Sequence, residues 1–331
     1  MSSGRGTPKQ RLRAGALAAL SRILIALPEA PVDRIGERLG VWSIRRSPER
    51  TARARRNLER TVGHLARAGL GGEVVARAAT DPGALEALLD DVFRQAARYY
   101  LDMARLPART AKDLDRRLVV ETPEVVERAF TAEPPGIFIG MHFGAVEFPA
   151  LMAVVRSGRT IVAPMETLGD PAMQAWIRRT RASVGVEIVT LRGARRALLG
   201  ALAEGRHVGI VADRNVAGGT IDVEFFGATA PMPMAPALLA VESGRPLWVA
   251  AVRRIGGGRY AGRLVPIDLP TEGTRRERVE AGTRAVARAM EGEIAVAPAQ
   301  WWSMLEPIWP DLDPSARHGS GKLEPETGAA A

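Results

Sequence analysis

The residues of this chain best suited to chemistry are a histidine and a glutamate in the segment His142-Phe-Gly-Ala-Val-Glu147. A histidine held by a carboxylate takes a proton from a hydroxyl at neutral pH, because the carboxylate fixes the imidazole tautomer and stabilises the imidazolium. On one straight helix, side chains five positions apart diverge by about 140°. His142 and Glu147 therefore meet only if His142 lies on a turn and Glu147 in the first turns of the following helix. The alternative is a core histidine at a strand end with a surface glutamate nearby.

The surrounding sequence predicts the strand, turn and helix that this geometry requires. The apolar run 136–141 is typical of a buried strand, and a helical pattern follows it. Gly140 and Gly144 permit a tight bend between the two. Asp213 and Arg214 follow another predicted strand, and ligands of α/β sheets bind beyond the carboxyl ends of strands. The two turns are therefore expected to face one crevice.

From residue 118 onwards, short apolar runs alternate with helical patterns. This rhythm predicts an α/β fold with a central, mostly parallel mixed sheet flanked by helices. We expect a helical, basic, membrane-associating region at 1–115, an α/β core at 116–312 and a disordered tail at 313–331, which is rich in Pro, Gly and Ala. Strands are predicted at 118–120, 136–141, 160–164, 186–190, 207–212, 221–226, 247–253 and 260–267.

Composition excludes several classes of site. The chain has no cysteine, so disulfides, thiolate metal sites and cysteine nucleophiles are excluded. No two of its four histidines stand at metal-ligand spacing, so no metal is expected. No Gly-x-Ser-x-Gly segment occurs, which argues against a serine hydrolase. The histidine–carboxylate pair remains the main candidate for chemistry.

The positive charge of the chain is concentrated at its beginning. The formal net charge is +9, and residues 1–70 alone hold fifteen Lys and Arg against five Asp and Glu. Such a cluster attracts nucleic acid or anionic membrane, but aromatic residues are scarce there and no nucleic-acid motif appears. Residues 14–27 form an apolar stretch that Arg22 interrupts, too short to cross a bilayer, with Leu17, Leu20, Leu24 and Leu27 on one helical stripe. We expect an amphipathic helix at an anionic membrane surface; the alternative is an ordinary helix packed on the core.

Three motifs together resemble a known family. They are the His142-x4-Glu147 pair, the Asp213-Arg-Asn turn followed by Phe225-Phe-Gly227, and Pro298-Ala-Gln-Trp301. Over about residues 10–310 the chain resembles the bacterial lipid acyltransferases, which include the late acyltransferases of lipid A synthesis and the phosphatidylinositol mannoside acyltransferases. The segment 98–107, and Asn215 in place of the second acid of an Asp-x-Asp, resemble the mannoside branch more closely.

The resemblance implies transfer of a fatty acyl group from acyl-CoA to a sugar hydroxyl of a membrane glycolipid, above all a phosphatidylinositol mannoside. The reaction would take place on the cytoplasmic face of the cell membrane, by a peripheral enzyme. A thioester is already activated, so no cofactor is required. Two alternatives remain: a lipid A type lauroyl or myristoyl acyltransferase using acyl carrier protein, and a non-catalytic lipid-binding membrane protein.

Site residues follow from the same resemblance. His142 is expected to be the general base, with Glu147 as its orienting acid. The substrate-binding residues are expected to be Glu166, Arg181, Asp213, Arg214 and Glu224.

Each of these five residues has an expected role. Arg181 binds donor phosphate or organises the acidic residues, unless it is a solvated helix-end arginine. Glu166 binds acceptor hydroxyls, or is an ordinary turn residue. Asp213 and Arg214 shape the floor of the site or bind the acceptor, or form a structural pair. Glu224 is expected to approach the catalytic histidine from a neighbouring strand end.

Two sets of apolar residues have alternative interpretations. The first set lines an acyl groove or belongs to the core, and consists of Phe143, Phe148 and Met152. The second set lies at a membrane interface or anchors the final helix to the sheet, and consists of Trp301, Trp302 and Trp309.

Overall fold

The structure is a computed structural model that describes residues 8–131, 134–216, 218–313 and 315. Most of the tail predicted to be disordered lies outside these residues. The described helices are α1 Pro8–Ala26, α2 Glu29–Arg45, α3 Pro48–Arg67, α4 Gly72–Ala78, α5 Pro82–Arg105, α6 Ala111–Arg117, α7 Pro123–Thr131, α8 Phe148–Ser157, α9 Pro171–Ala182, α10 Ala194–Ala203, α11 Ala235–Ser243 and α12 Arg275–Val296. The described strands are β1 Leu118–Val120, β2 Ile137–Gly140, β3 Ile161–Met165, β4 Val186–Thr190, β5 His207–Val211, β6 Thr220–Phe225, β7 Ala228–Pro233, β8 Leu247–Gly256 and β9 Arg259–Ile267.

Seven strands form the central sheet, in the order β1-β9-β8-β2-β5-β3-β4. Strands β8, β2, β5, β3 and β4 run in one direction, whereas β9 pairs antiparallel with β8, and β1 runs parallel to β9. The expected α/β fold with a mostly parallel mixed sheet is therefore confirmed. Because β2 and β5 are parallel neighbours, with Gly140 opposite Val211, the turns that follow them lie side by side.

A second sheet consists of the antiparallel hairpin β6–β7. The sequence predicts β6 but not β7, because Pro231 and Pro233 interrupt the apolar pattern. Proline donates no backbone hydrogen bond, and for this reason it is confined to edge strands such as this one. Phe225, on the buried face of β6, joins the main hydrophobic core.

The N-terminal helices hold the last described segment of the chain against the sheet. Helix α5 begins where Asp81 accepts a hydrogen bond from the backbone N–H of Gly83 and Pro82 takes the first helical position. On α3, Asn57 is buried, and its side-chain amide donates to the carbonyls of Met304 and Glu306.

The predicted boundary after residue 115 falls inside α6, and the division into a helical region and a core stays a prediction.

The leucine stripe of α1 divides between protein and solvent. Leu17 and Leu24 pack against the core, whereas Leu20 and Leu27 remain 49% and 45% exposed. Helix α1 lies against α5 and α9. Among the described residues, no helix is both long and apolar enough to cross a membrane.

Candidate active site

His142 lies on the turn between β2 and α8. Its backbone carbonyl accepts a hydrogen bond from the N–H of Trp302 at 2.9 Å, which holds the turn against the segment that follows α12. Gly144, in the same turn, has φ +52°, and a Cβ there would lie 2.1 Å from the carbonyl oxygen of Val252. Only glycine fits this position, so the tight bend expected from the sequence has a steric cause.

The carboxylate that holds His142 belongs to Asp213, on the turn after β5. Its Oδ1 lies 2.8 Å from Nδ1 of the imidazole, and its Oδ2 accepts the backbone N–H of His142, also at 2.8 Å. A carboxylate can only accept, so Nδ1 carries the proton and Nε2 presents its lone pair. The histidine side chain is 20% exposed, whereas Asp213 is completely buried. This is the arrangement of a general base with an orienting acid.

Asp213 receives two further hydrogen bonds from residues near the end of the chain. The indole N–H of Trp301 and the hydroxyl of Ser303 both donate to Oδ2, each at 2.8 Å. Burial raises the pKa of this carboxyl, but the imidazole and the hydrogen bonds outweigh it and lower the pKa to about 2. Asp213 is therefore ionised at neutral pH.

The expected pairing of Glu147 with His142 is wrong. Glu147 directly precedes α8 and turns towards the last turn of α9, where it accepts from Arg181 Nη2 at 2.7 Å and Nε at 3.1 Å. Glu147 is buried and only 15% of the Arg181 side chain is exposed, so Arg181 is not a solvated helix-end residue. Burial lowers the pKa of this arginine, but the charge of Glu147 overcomes that effect and the pKa is raised. The spacing in the sequence predicted that His142 and Glu147 pair with each other. In the fold, His142 pairs with Asp213 and Glu147 pairs with Arg181.

Glu166 and Arg214 form a further pair on the same edge of the sheet. They follow β3 and β5 and meet at 2.6 Å, with 36% and 20% of their side chains exposed. Glu224 does not join them. It lies on the exposed face of β6, where its charge adds to burial in raising the pKa of Glu291 on α12. The expected approach of Glu224 to the catalytic histidine is therefore wrong, because strand alternation turns its side chain outward.

The sequence analysis missed Trp301 and Ser303 as partners of Asp213, although the Pro298-Ala-Gln-Trp301 motif was the available signal. Trp301 is completely buried, and so is Trp309, which donates to the carbonyl of Phe225. Burial rules out a membrane interface for these two indoles and supports their anchoring role.

Trp302 lies beside the dyad. Its ring centroid is 4.7 Å from that of His142, edge to face, and 4.7 Å from that of Tyr99. Its indole N–H is buried and has no hydrogen-bond partner among the residues that the structure describes. An aromatic wall therefore limits the positions that the imidazole can take.

An apolar cavity of about 70 Å³ lies under α8, with Glu147 and Arg181 among its lining residues. This volume is room for roughly two water molecules, and is therefore too small for a fatty acyl chain. The three residues considered as acyl-groove lining are buried in the two cores instead, namely Phe143, Phe148 and Met152. Within the described ranges, no group of three or more His, Cys, Asp and Glu is arranged to hold a metal ion.

Comparisons with known proteins identify the family of the chain. Residues 10–310 match the model of the family described as bacterial lipid A biosynthesis acyltransferase. A phosphatidylinositol mannoside acyltransferase of Mycobacterium tuberculosis is 30% identical over 227 residues, 66% of this chain and 70% of that protein. One from Mycolicibacterium smegmatis is 31% identical over 229 residues, 66% of this chain and 73% of that protein.

Among solved structures, the 1-acyl-sn-glycerophosphate acyltransferase PlsC from Thermotoga maritima aligns with 73% of this chain and 97% of its own at 18% identity. The TM-score of 0.33 is too low for that likeness to support an argument. The match over residues 10–310 is sufficient by itself: the chain belongs to the bacterial lipid A biosynthesis acyltransferase family and is an acyltransferase.

Proposed function

We propose that this protein transfers a fatty acyl group from acyl-CoA to a sugar hydroxyl of a phosphatidylinositol mannoside, with His142 as the general base and Asp213 as its orienting acid. The observation that carries the proposal is the 2.8 Å bond between the imidazole Nδ1 and a completely buried, ionised carboxylate. The acceptor is proposed from the two mycobacterial relatives, which are named phosphatidylinositol mannoside acyltransferases.

The proposed reaction needs one proton relay. The acceptor hydroxyl donates to Nε2 of His142 while its oxygen attacks the thioester carbonyl, which forms a tetrahedral oxyanion. The oxyanion then collapses, the ester forms, the carbon–sulfur bond breaks and the departing thiolate takes the proton from the imidazolium. Asp213 stabilises the imidazolium between these two steps. A general base of this kind contributes about 10²–10⁴-fold in rate.

We also propose that α1 and α2 rest on the cytoplasmic face of the membrane. Exposed apolar side chains stand at helical spacing on both helices, 45–58% exposed, namely Leu20 and Ile23 on α1 with Leu27 directly after it, and Ile35, Leu39 and Trp42 on α2. The first seventy residues carry a formal net charge of +10. Apolar contact combined with basic charge is what binds a peripheral helix to anionic lipid.

Sedimentation with vesicles tests this membrane surface. A variant with Ile35, Leu39 and Trp42 changed to Ser is expected to bind anionic vesicles at least tenfold more weakly than wild type. A matched control changes two apolar residues of similar exposure on other elements, Leu70 and Val296, to Ser. Undiminished binding of the α2 variant, or an equal loss in the control, would contradict the proposal.

A two-by-two assay tests the reaction itself. Purified protein is given labelled palmitoyl-CoA or palmitoyl acyl carrier protein, with a phosphatidylinositol mannoside or a Kdo-lipid acceptor. Product is expected from the CoA donor and the mannoside acceptor, and the His142→Ala variant should lose at least a hundredfold in kcat. Product formed only with the Kdo-lipid would show that the proposed mannoside acceptor is wrong. No transfer to either acceptor would favour a non-catalytic lipid-binding protein.

A further inference from the structure

A second cavity, of about 880 Å³, lies apart from the catalytic pair. The beginning of α2, the helices α5 and α6 and the hairpin between β8 and β9 form its walls. Gln300 separates it from the catalytic turn: its side chain accepts from the backbone N–H of Arg254 and donates to the carbonyl of the same residue, both at 2.8 Å. Neither His142 nor Asp213 lines the cavity.

The lining of this cavity carries a large excess of positive charge. Only two of its side chains are acidic, Glu29 and Asp33, whereas six are arginines: Arg34, Arg98, Arg116, Arg117, Arg254 and Arg259. Because the cavity has walls of low dielectric, this excess is screened less than it would be on an open surface. An excess of positive charge of this kind favours the binding of an anion.

The first of the two acids, Glu29, is already shared between two arginines. It accepts from Arg109 at 2.9 Å and from Arg117 at 2.6 Å. Burial raises the pKa of Glu29, but the two guanidinium groups outweigh burial and lower the pKa to about 2. One carboxylate therefore neutralises only one of the two charges around it.

Asp33 is shared in the same way. It contacts Arg105 at 2.6 Å and Arg98 at 3.1 Å, and Arg98 also reaches Glu37. Asp33 is buried and lines the cavity together with Arg98. Both acids of the lining are thus shared within the protein. Of the other lining arginines, Arg254 pairs with Asp102 and Arg116 with Asp113, so the charge that stays unbalanced in the described chain is that of Arg34 and Arg259.

Several guanidinium groups in or next to the cavity lining are ion-paired but keep an unpartnered N–H. Five buried guanidinium nitrogens in or next to the lining have no hydrogen-bond acceptor among the residues that the structure describes: Nε of the lining residues Arg98 and Arg254, and Nη2 of Arg105 with Nε and Nη2 of Arg109 behind them. Arg254 is only 8% exposed and forms part of the cavity lining. Leaving a buried charged donor unpaired is costly, and a bound anion removes that cost.

The mouth of the cavity has two free arginines facing it from different elements. Arg34 on α2 and Arg259 on β9 are exposed, and neither has an ion-pair partner within the described chain. β8 ends at Gly256 and the turn to β9 is Gly257-Gly258, so no side chain at the tip of this hairpin obstructs the entrance. Gly256 and Gly257 have φ +86° and +58°, which favours glycine here.

We propose that this cavity binds a phosphate-bearing polyanion, at a site distinct from the catalytic dyad. Guanidinium groups match phosphate oxygens in fork geometry, and several of them around one cavity suit a ligand with more than one phosphate or with a phosphate and hydroxyls. Two sources share this chemistry: a soluble phosphorylated nucleoside, and the phosphoinositol headgroup of an anionic lipid. The proposal does not depend on the catalytic role of His142.

Titration calorimetry with soluble probes tests the site and separates the two sources. Adenosine 3′,5′-bisphosphate represents the nucleoside, and inositol 1-phosphate represents the lipid headgroup. At least one probe is expected to bind saturably to the wild-type protein and to the His142→Ala variant with similar affinity. The probe that binds more tightly identifies the source.

The mouth arginines supply the decisive variant. Reversal of both charges, Arg34→Glu with Arg259→Glu, is expected to weaken binding at least tenfold, because neither side chain has an internal partner to lose. The control Arg178→Glu with Arg196→Glu makes the same change in net charge at exposed arginines of α9 and α10 and should bind as wild type does. Absence of saturable binding by both probes, or equal weakening in the control, would overturn the proposal.

Discussion

Replacing Asp213 by Asn is the sharpest test of the catalytic dyad, because the change is nearly isosteric and removes one charge. The wild-type carboxylate accepts four hydrogen bonds, from two N–H groups of His142, the indole of Trp301 and the hydroxyl of Ser303. The backbone N–H of His142, the indole of Trp301 and the hydroxyl of Ser303 all donate to Oδ2. An Asn side chain can accept from these three donors only with its amide oxygen, which leaves its NH₂ group facing Nδ1 of the imidazole. The imidazole must then accept at Nδ1 and carry its proton on Nε2, which is the wrong tautomer for a base.

The size of the effect follows from the geometry. With Nδ1 and Oδ1 2.8 Å apart, the centres of the two charges lie about 4 Å from each other. At an effective dielectric constant of about 20, a unit charge pair at that distance interacts by about 4 kcal/mol. Loss of this stabilisation of the imidazolium corresponds to roughly a thousandfold in rate, at about 1.4 kcal/mol per tenfold. The expected fall in kcat is therefore about 10²–10⁴-fold, with little change in KM.

The assay is the steady-state rate of acyl transfer, with the melting temperature and circular dichroism as checks of folding. Ser303→Ala is the matched control, because it removes one hydrogen bond to the same oxygen and leaves the charge and the tautomer in place. Its kcat is expected to fall by roughly tenfold, the value of one hydrogen bond to a charged group. A folded Asp213→Asn protein with kcat within about threefold of wild type would refute the reasoning.

Three further predictions concern the surroundings of the dyad. Glu147→Gln removes the charge that balances the largely buried guanidinium of Arg181 and should reduce the free energy of unfolding by about 3–5 kcal/mol in urea titrations, while lowering kcat of the folded protein less than Asp213→Asn does. Burial lowers the pKa of His207 from 6.5 to about 4, because the fold favours the neutral imidazole. The contribution of His207 to the free energy of unfolding is therefore complete above pH 6.5, and about 3 kcal/mol of it should be lost as the pH falls through 4. His207→Asn should abolish this pH dependence. Gly144→Ala should disrupt the catalytic turn, seen as reduced activity and a lower melting temperature, because its Cβ would meet the carbonyl of Val252.

The fold was largely predictable because each strand of the central sheet is a short apolar run with turn residues on both sides. The alternation of strands with helices gave the parallel sheet, and parallel neighbours explain why the turns of His142 and Asp213 meet. The choice of the orienting carboxylate was not predictable in the same way. Glu147 is five positions from the histidine and Asp213 is 71 positions away, so only the register of β2 against β5 decides between them.

The dyad depends on parts of the chain that are far apart in sequence. Two of the four donors to Asp213 come from the segment 301–303. Directly after this segment, the carbonyls of Met304 and Glu306 accept hydrogen bonds from Asn57 on α3. Gln300 joins that segment to β8, and the N–H of Trp302 joins it to the catalytic turn. Each hydrogen bond to a buried carboxylate favours its ionised form, so loosening this whole segment is expected to raise the pKa of Asp213. If His142 and Asp213 act as proposed, changes in the N-terminal helices are expected to affect catalysis through the hydrogen bonds that keep this carboxylate charged.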